Sequence, residues 1–503
     1  MLSLTDPAAP DPCPAAFNLA RYVLAPAETR PDHVALMVLG ASGAERWSYG
    51  RLAAAVGGVA TGLAARGLSA GDRVLLRLGN GTAFPLAFLG AVAGGFVPVP
   101  TAAGLTSGEV ARLCTAIRPA LIVAGAGVAM PDAPPCPVLA EAALAAFATL
   151  PPAPWAMGAP DRLAYIVFTS GTSGLPRAVA HAHRAVWARR MMHEGWLGIG
   201  PGDRLLHAGA LNWTYTLGAG LFDPWAVGAT AMVAAQGVTP DQLPLLARRF
   251  DATIFAAVPG VYRRILRNGS GLDLPRLRHG LSAGEKLPAP IRSAWREATG
   301  TDLHEAMGLS ECSTFLSSSP GHPAPEGATG YPQPGRRVAV LGTDGTPVPR
   351  GTPGILAVHR SDPGLFLGTV EAETIRPVAD EWFQTGDMVV MAGDGAVTSL
   401  GRADDMINAG GFRVSPVEIE TAMMACPGVQ ASAAVELPVA ADTTLIALFY
   451  TGTAEEAALA SHAEAVLARY KQPRLYLRRA AIPATANGKI NRRALREEWK
   501  ATK

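Results

Sequence analysis

The stretch Tyr165-Ile-Val-Phe-Thr-Ser-Gly-Thr-Ser-Gly-Leu-Pro-Arg177 joins an apolar strand to a loop of glycines and small hydroxyl residues. Glycines let backbone N–H groups approach a ligand, the hydroxyls add donors, and Arg177 adds a positive charge. The loop differs from GxxxxGK[ST], because no lysine followed by Ser or Thr closes it. A flexible Gly/Ser connection is the alternative, but this pattern directly after an apolar strand favours a site for phosphate oxygens.

Strands and helices alternate on both sides of this loop. An apolar run after Asp72-Arg73, a Gly-Asn-Gly turn, an apolar helix over Phe84–Ala93 and a short strand from Phe96 are typical of a parallel βαβ unit. Further strands are predicted at Ala120–Ala124, Tyr165–Thr169 and Thr253–Ala257, and helices at Pro240–Arg249 and Pro288–Thr299. The sequence therefore predicts an α/β fold with a mostly parallel sheet.

The composition changes near Thr329, where Gly, Pro and short β runs become frequent. Residues 329–400 are predicted to form a small β-rich subdomain, with Gly393-Asp394-Gly395 as a hairpin turn. A polar stretch follows Gly401-Arg402, and we place a domain boundary there. The prediction is an N-terminal domain over 1–400 and a C-terminal domain over 401–503.

Composition excludes several classes of protein. The 503 residues carry 43 Lys and Arg against 41 Asp and Glu, so bulk charge offers no basis for nucleic-acid binding. The longest apolar stretch, Ala83–Pro100, is broken by Gly and Pro, and the N-terminus lacks a signal-peptide pattern. Five cysteines without a CxxC pair indicate a reducing cytoplasm and no zinc site. We predict a cytoplasmic protein without a membrane span.

Five further motifs follow the loop in order. They are Ser282-Ala-Gly-Glu285, Met307-Gly-Leu-Ser-Glu311, Trp382-Phe-Gln-Thr-Gly-Asp387, Gly401-Arg-Ala-Asp-Asp-Met-Ile-Asn-Ala-Gly-Gly-Phe-Arg413 and Asn487-Gly-Lys489. Together they resemble the acyl-adenylate-forming (AMP-binding) superfamily, and within it the benzoate-type CoA ligases. The resemblance implies a large N-terminal lobe of parallel α/β sheets with the β-rich subdomain, and a small mobile α+β C-terminal domain.

The resemblance also implies a two-step reaction. A carboxylic acid and ATP give acyl-AMP and pyrophosphate, and the CoA thiol then displaces AMP to form a thioester. ATP and CoA are the implied co-substrates, with Mg²⁺ held by Glu311. Lys489 and Ser310 are the other implied catalytic residues; Lys489 stabilises the adenylation transition state, and Ser310 stands where the family usually has threonine.

The resemblance also implies which residues contact the nucleotide. Asp387 accepts the ribose hydroxyls, and Arg402 is its ribose and phosphate companion. Met307 stands where many relatives place a tyrosine, so an apolar flank replaces ring stacking on adenine. The remaining implied contacts are Thr169, Ser170, Gly171, Thr172, Ser173, Gly174, Arg177, Ala283, Gly284, Glu285 and Gly308.

Three further sets of residues are implied. Gly410, Gly411 and Arg413 resemble the stretch that lines the CoA tunnel, and Asp404 falls at the hinge between domains. Trp213 and Tyr215 would wall a short, flat acyl cavity or lie in the ordinary core. His207 would gate this pocket, polarise the carboxylate or be a buried structural histidine. The implied acyl pocket consists of His207, Ala210, Trp213, Thr214, Gly218, Val258, Pro259, Ser282, Leu309 and the neighbouring Ala283 and Gly284.

The resemblance favours an acid-CoA ligase for a small aromatic or short-to-medium aliphatic acid. A free-standing adenylation enzyme that loads a carrier protein is the alternative. Luciferase-like oxygenation and a non-enzymatic regulator are less consistent with the motifs. The sequence allows a homodimer. The last segment from Arg469 holds eleven Lys and Arg, which form a solvated face or assist with CoA or pyrophosphate charge.

Overall fold

The computed structural model describes residues 1–8, 10–169, 177–267, 271–371, 374–409, 412–440, 443–484 and 490–501. Within these ranges, no helix is both long and apolar enough to cross a membrane.

The first 150 residues contribute strands to three sheets, one of which is a parallel four-stranded α/β unit. Its elements are β1 (Leu4–Thr5), α1 (Leu19–Val23), α2 (Pro26–Thr29), β2 (Val34–Leu39), β3 (Ala44–Ser48), α3 (Tyr49–Ala64), β4 (Arg73–Arg77), α4 (Ala83–Ala93), β5 (Val97–Pro100), α5 (Ser107–Ile117), β6 (Leu121–Ala124), β7 (Val138–Ala140) and α6 (Ala142–Phe147). Strands β5, β4, β6 and β7 pair in parallel in that order. Every residue of α4 from Phe84 to Ala93 is buried, which explains its uninterrupted hydrophobic sequence.

The central part of the chain forms most of the largest sheet. Its elements are β8 (Leu163–Thr169), β9 (Arg177–Ala182), α7 (Arg184–Ala188), α8 (Arg190–Met192), β10 (Arg204–His207), α9 (Thr214–Leu217), α10 (Asp223–Ala226), β11 (Thr230–Ala234), α11 (Leu243–Arg249), β12 (Ile254–Ala257), α12 (Pro259–Leu266), β13 (His279–Ala283), α13 (Ala289–Thr299), β14 (Leu303–Leu309), β15 (Ser313–Ser317) and β16 (Tyr331–Pro332). Short π-helical turns span His193–Leu197 and Gly218–Phe222, and a 3₁₀ turn spans Pro240–Gln242.

Nine strands form this sheet in the order β16-β15-β14-β13-β12-β10-β11-β2-β3. The run from β14 to β2 is parallel, and antiparallel strands close both edges. Apolar side chains on both faces of this sheet are buried, with Leu206 and Phe255 in one cluster and Leu205, Ile254 and Leu281 in another. The predicted α/β class and mostly parallel sheet are confirmed.

The segment from 338 to 402 is β-rich, whereas the predicted subdomain bounds of 329–400 stay a prediction. Its strands are β17 (Val338–Leu341), β18 (Gly354–His359), β19 (Gly368–Glu371), β20 (Thr374–Arg376), β21 (Trp382–Met391) and β22 (Val397–Arg402). An antiparallel sheet joins β1, β17, β18, β21 and β22 in that order.

The strand before the glycine-rich loop does not join the parallel sheet. β8 pairs antiparallel with β9, and β9 pairs with β19 in the four-stranded sheet β20-β19-β9-β8. The expectation that Tyr165–Thr169 belongs with the parallel strands is therefore wrong. Only residues 170–176 separate β8 from β9, which is too short for the crossover of about a dozen residues that parallel strands need.

The C-terminal segment is α+β. Its elements are β23 (Ile407–Ala409), β24 (Phe412–Val414), α14 (Pro416–Met424), β25 (Val429–Ala440), β26 (Thr443–Gly452), α15 (Glu456–Val466), a 3₁₀ turn (Arg469–Lys471), β27 (Leu475–Arg478) and α16 (Arg492–Ala501). Strands β25, β26 and β27 form one sheet with separate apolar clusters on its two faces. The predicted domain boundary at Gly401 lies one residue before the end of β22 at Arg402, and it stays a prediction.

Candidate active site

Four neighbouring parallel strands end at one edge of the large sheet. β10, β12, β13 and β14 are adjacent, and their registers pair His207 with Ala256, Ala257 with Ser282, and Ala283 with Ala306. Ligands of open α/β sheets bind outside the carboxyl ends of the strands. The structure places these predicted residues at that edge: His207, Val258, Pro259, Ser282, Ala283, Gly284, Met307, Gly308 and Leu309.

The tight β14–β15 hairpin presents Ser310 and Glu311. A Cβ at Gly308 would overlap the backbone of Ser313 and Thr314, so only glycine allows this approach of the two strands. Ser313 itself adopts a left-handed φ of 62°. Of the three residues between the strands, Ser310 and Glu311 are half-buried and Cys312 is buried.

A short segment connects this hairpin with two other elements. The backbone N–H of Phe366 donates to the carbonyl of Glu311 at 2.7 Å, and the N–H of Leu367 donates to Ala180 of β9 at 2.7 Å. The Phe366 ring packs edge-on against Phe383 of β21, with centroids 5.2 Å apart. Residues 364–368 therefore join the strand that follows the glycine-rich loop, the Glu311 hairpin and the strand that carries Asp387.

Asp387 and Arg402 face each other across β21 and β22. They occupy paired positions in the register, and Arg402 Nη1 lies 3.8 Å from Asp387 Oδ1. Arg402 Nη1 also donates to the Thr385 carbonyl at 2.7 Å. Gly386 has a φ of 77°, and a Cβ there would meet the Arg402 guanidinium at 2.7 Å. The sequence Thr-Gly-Asp thus holds the carboxylate and guanidinium together.

His207 is buried at the end of β10, with 1% of its surface exposed. Its Nδ1 accepts the N–H of Gly209 at 3.0 Å, which leaves the proton of the neutral ring on Nε2. Nε2 has no hydrogen-bond partner. Burial lowers the pKa of His207 to about 3, so the ring is neutral near pH 7. A neutral ring with a free N–H can donate to an oxygen of a ligand.

The two predicted aromatic walls lie in different surroundings. Tyr215 is buried, its hydroxyl donates to the Leu281 carbonyl at 3.2 Å, and its ring lies edge-on to His207 at 4.3 Å. Trp213 is half-buried, and a Cβ at Gly284 would lie 3.1 Å from its ring. The core interpretation fits Tyr215, whereas Trp213 remains a candidate pocket wall.

The other predicted pocket and nucleotide residues lie close by in sequence. Thr214 begins α9, Gly218 begins the following π turn, and Ala210 is exposed before them. Glu285 is half-buried after Gly284 and interacts electrostatically with Arg263, whose pKa is lowered mainly by burial.

Several predicted residues fall at or beyond the ends of the described ranges. Thr169 ends β8 and pairs with the exposed Arg177 of β9. The backbone of Arg413 lies in β24. Ser170, Gly171, Thr172, Ser173, Gly174, Gly410, Gly411 and Lys489 lie outside the described residues.

Two consecutive aspartates lie at the predicted hinge. The exposed Asp404 pairs with Arg402 of β22, Oδ1 to Nε, at 3.3 Å. Asp405 pairs with Arg492 and Arg496 of α16 at 3.3 and 3.2 Å. Adjacent side chains therefore contact an N-terminal strand and the C-terminal helix.

Sequence reasoning missed two polar features near the strand ends. Asn80 donates to the carbonyl of Gly209 and accepts the N–H of Leu211, both at 2.9 Å, so it fixes the loop after His207. Its position in the Gly-Asn-Gly turn was the available signal. Arg189 and Asp223 form a buried ion pair at 2.5 Å, and no sequence motif predicts this contact.

The carboxylate at the strand ends fits magnesium binding that is shared with substrate phosphates. Among the described residues, no group of three or more His, Cys, Asp or Glu side chains could hold a metal. Mg²⁺ commonly binds one or two carboxylates together with substrate phosphates and water rather than an all-protein cage. Glu311, half-buried at the strand ends, can supply such a carboxylate.

The fold and the strand-end site define the adenylate-forming class of enzymes. The family model for AMP-binding enzymes matches residues 24–368, and the model for the AMP-binding enzyme C-terminal domain matches residues 418–489. The chain belongs to the AMP-binding enzyme family. It is an AMP-forming acid–thiol ligase.

Relatives share this architecture along nearly the whole chain. The 3-hydroxybenzoate–CoA ligase of Aromatoleum sp. (strain CIB) is 31% identical, covering 97% of this chain and 98% of its own length. The solved benzoate CoA ligase from Burkholderia xenovorans LB400 is 27% identical with a TM-score of 0.83, covering 95% of this chain and 100% of that one. An anthranilate CoA ligase solved with anthranoyl-AMP shares the fold, with a TM-score of 0.87 at 24% identity over 98% of this chain and 99% of its own.

Proposed function

We propose that this chain joins a small aromatic, benzoate-like acid to CoA through an acyl-AMP intermediate. The observation that carries the proposal is the convergence of His207, Ser282–Gly284 and Met307–Glu311 at one sheet edge. In the first step, a carboxylate oxygen bonds to the α-phosphorus of ATP and pyrophosphate leaves. In the second step, the CoA sulfur attacks the acyl carbon, AMP leaves, and the thiol proton is released.

The charged groups in this proposal offset repulsion between anions. The acid and ATP are both negative, so their approach needs cations and N–H donors. We assign Lys489 to the carboxylate and α-phosphate, Ser310 to the α-phosphate, and the loop 169–177 to the β- and γ-phosphates. When bound at Glu311, Mg²⁺ supplies further charge neutralisation. Asp387 and Arg402 would hold the ribose, because an ionised carboxylate accepts two hydroxyl donors.

The proposed acid is aromatic and small. Trp213 is half-buried beside Gly284 and Val258, so a flat ring can pack against it at the strand ends. The 3-hydroxybenzoate and benzoate ligases among the relatives support the same class of substrate. Short-to-medium aliphatic acids remain the alternative substrates.

The proposed acceptor is CoA, and the proposed hinge is Asp404 between domains 1–400 and 401–503. Gly410, Gly411 and Arg413 would line the CoA tunnel. Loading of a separate carrier protein is the alternative acceptor reaction. A homodimer is also proposed, and light scattering of the purified chain tests it.

A product assay tests the function. The chain is incubated with ATP, Mg²⁺ and benzoate, cyclohexanecarboxylate or short-to-medium fatty acids, with and without CoA. The proposal expects CoA-dependent AMP release and an aromatic thioester. Acid-dependent pyrophosphate exchange without a CoA thioester, followed by acylation of an added carrier protein, would support the alternative. Thioesters from aliphatic acids alone would contradict the aromatic assignment.

A further inference from the structure

A small polar cavity of about 20 Å³ lies beside the candidate site. Ser310, Thr214 and Gly218, which belong to the predicted phosphate and acyl sites, line one part of it. Arg189, His181 and Ser313 supply further polar groups, and Tyr165, Leu217 and Phe222 supply apolar ones. This polar cavity is therefore continuous with residues of the proposed acyl pocket.

Arg189, held by an ion pair with Asp223 behind it, forms one wall. Arg189 Nε donates to Asp223 Oδ1 at 2.8 Å, Nη2 donates to Oδ2 at 2.5 Å, and Nη1 donates to Ser313 Oγ. A guanidinium has five N–H donors, so two remain beyond these bonds. The guanidinium occupies the space that a Cβ at Gly218 would take, which explains the glycine at this position. Asp223 compensates the charge of Arg189, so this wall offers donors without a net positive charge.

His181 provides the second observation. It is 3% exposed and lines the cavity, and neither ring nitrogen makes a hydrogen bond of good geometry. The backbone of Ser310, which also lines the cavity, is its nearest polar partner and raises its pKa against the larger effect of burial. Its ring stacks on Tyr165 with centroids 4.7 Å apart, which fixes its orientation. Burial lowers the pKa of His181 to about 4, so near pH 7 the neutral ring offers one donor and one acceptor. A buried ring nitrogen without a well-aligned hydrogen bond is unfavourable, and a polar guest would offset that cost.

Size, polarity and charge together restrict the guest. The cavity has room for a group of about one water molecule, so it is too small for a ring. Arg189 donates, whereas His181 both donates and accepts, so a hydroxyl satisfies both. A carboxylate would bring an uncompensated charge, because Asp223 already neutralises Arg189.

We propose that the polar cavity binds a hydroxyl substituent of the acid, so that the substrate is a hydroxylated carboxylic acid. Arg189 and His181 are the specificity-determining residues in this assignment. The assignment rests on the proposed function, since the acyl chain or ring must lie in the adjoining pocket. A site that hydrogen-bonds a substrate hydroxyl discriminates strongly against the analogue that lacks it.

The first test compares matched acids on the wild-type chain. Benzoate and its three hydroxy isomers, cyclohexanecarboxylate and its hydroxy derivatives, and a dicarboxylic acid are compared by kcat/KM for the CoA thioester. One hydroxy isomer should exceed its unsubstituted parent by roughly tenfold or more. Equal or better use of the parents in both series, or preference for the dicarboxylic acid, overturns the assignment and leaves an adventitious water as the only guest.

The second test uses a matched pair of histidine variants. His181→Phe removes both ring nitrogens but keeps a stacking ring, and should lower the hydroxy-to-parent ratio of kcat/KM roughly tenfold. His183→Phe is the control, because His183 is also buried but its Nδ1 accepts the N–H of Leu19, away from the cavity. The control should keep the wild-type ratio.

An unchanged ratio in a folded His181→Phe chain overturns the assignment. If that variant does not fold, the wild-type series decides alone. The proposed function fails separately, when the wild-type chain forms no CoA thioester with any acid.

Discussion

Asp387 and Arg402 lie opposite each other on neighbouring strands, although the chain separates them by a hairpin. Asp387 N–H donates to Thr385 Oγ1 at 3.0 Å, and the Asp387 side chain is 13% exposed. An ionised, acceptor-only group held in this way suits a ribose with two hydroxyl donors. The same backbone geometry would hold an uncharged isostere, so charge and shape can be separated by substitution.

Asp387→Asn should raise the KM for ATP by about tenfold or more, because the amide presents one acceptor oxygen where the carboxylate presents two. Acid-dependent pyrophosphate exchange at varied ATP measures this. Asp380→Asn, at an exposed site on the approach to β21, is the control and should keep the wild-type value. An unchanged KM for ATP in the Asp387→Asn variant would show that the Asp387 carboxylate does not bind the nucleotide.

Buried histidines make stability depend on pH. Burial lowers the pKa of His183 and His207 to about 3 and that of His181 to about 4, against about 6.5 in an unfolded chain. Between these values the unfolded chain binds protons that the folded chain does not. Their contribution is therefore fully present above about pH 6.5 and is lost as the pH falls toward the folded pKa values.

His183→Gln should weaken this dependence by up to about 1.4 kcal/mol per pH unit between about pH 4 and 6.5. Urea unfolding at several pH values measures the free energy of unfolding. His322→Gln, at an exposed position, is the control and should follow the wild-type slope. Identical slopes for His183→Gln and wild type would contradict burial of a neutral His183.

At the scale of elements, pattern and length explain what the sequence predicts. The apolar runs bounded by turns predict the ends of β12 and α13 to within about one residue. This succeeds because the period of apolar residues within a single strand or helix depends only on that element's own geometry. The strand Tyr165–Thr169 is also correct, but its partner is not, because pairing depends on the length of the connection. The Arg189–Asp223 pair joins residues whose contact exists only after folding, so no local pattern reveals it.

The left-handed backbone of Gly386 in strand β21 can be tested by substitution. Gly386→Ala should lower adenylation activity, because a left-handed φ costs about 1–2 kcal/mol for a residue with a Cβ, and the new Cβ would displace Arg402. Gly393→Ala in the β21–β22 turn is the control, since a Cβ there meets no atom within 4 Å. Pyrophosphate exchange and thermal unfolding measure both variants. Equal adenylation by the two variants would show that Arg402 need not lie beside Gly386.

At the scale of the molecule, the large lobe and the small C-terminal domain were predicted through the resemblance, and the solved relatives share this architecture. Composition alone reveals the change near Thr329 but not how the domains meet. The contacts at Asp404 and Asp405 connect strand β22 and helix α16 through adjacent residues. A rotation at this point would have to exchange these ion pairs.

Asp404→Pro should impair thioester formation more than adenylation, because proline fixes φ and removes the backbone N–H at the proposed hinge. Pyrophosphate exchange follows the first half-reaction, and CoA-dependent turnover of supplied acyl-AMP follows the second. Asp404→Ala removes the same carboxylate but leaves the backbone free, so it should impair the thioester step less. Normal rates of both steps in the proline variant would move the hinge elsewhere.

The central claim is that carboxylate oxygen attacks the α-phosphorus and is then lost with AMP. The most direct measurement uses an acid labelled with ¹⁸O at both carboxylate oxygens, with mass spectrometry of the AMP and the CoA thioester after turnover. The account predicts one labelled oxygen in AMP and one in the thioester carbonyl. Unlabelled AMP alongside labelled thioester, or label released in inorganic phosphate, would contradict an acyl-AMP intermediate.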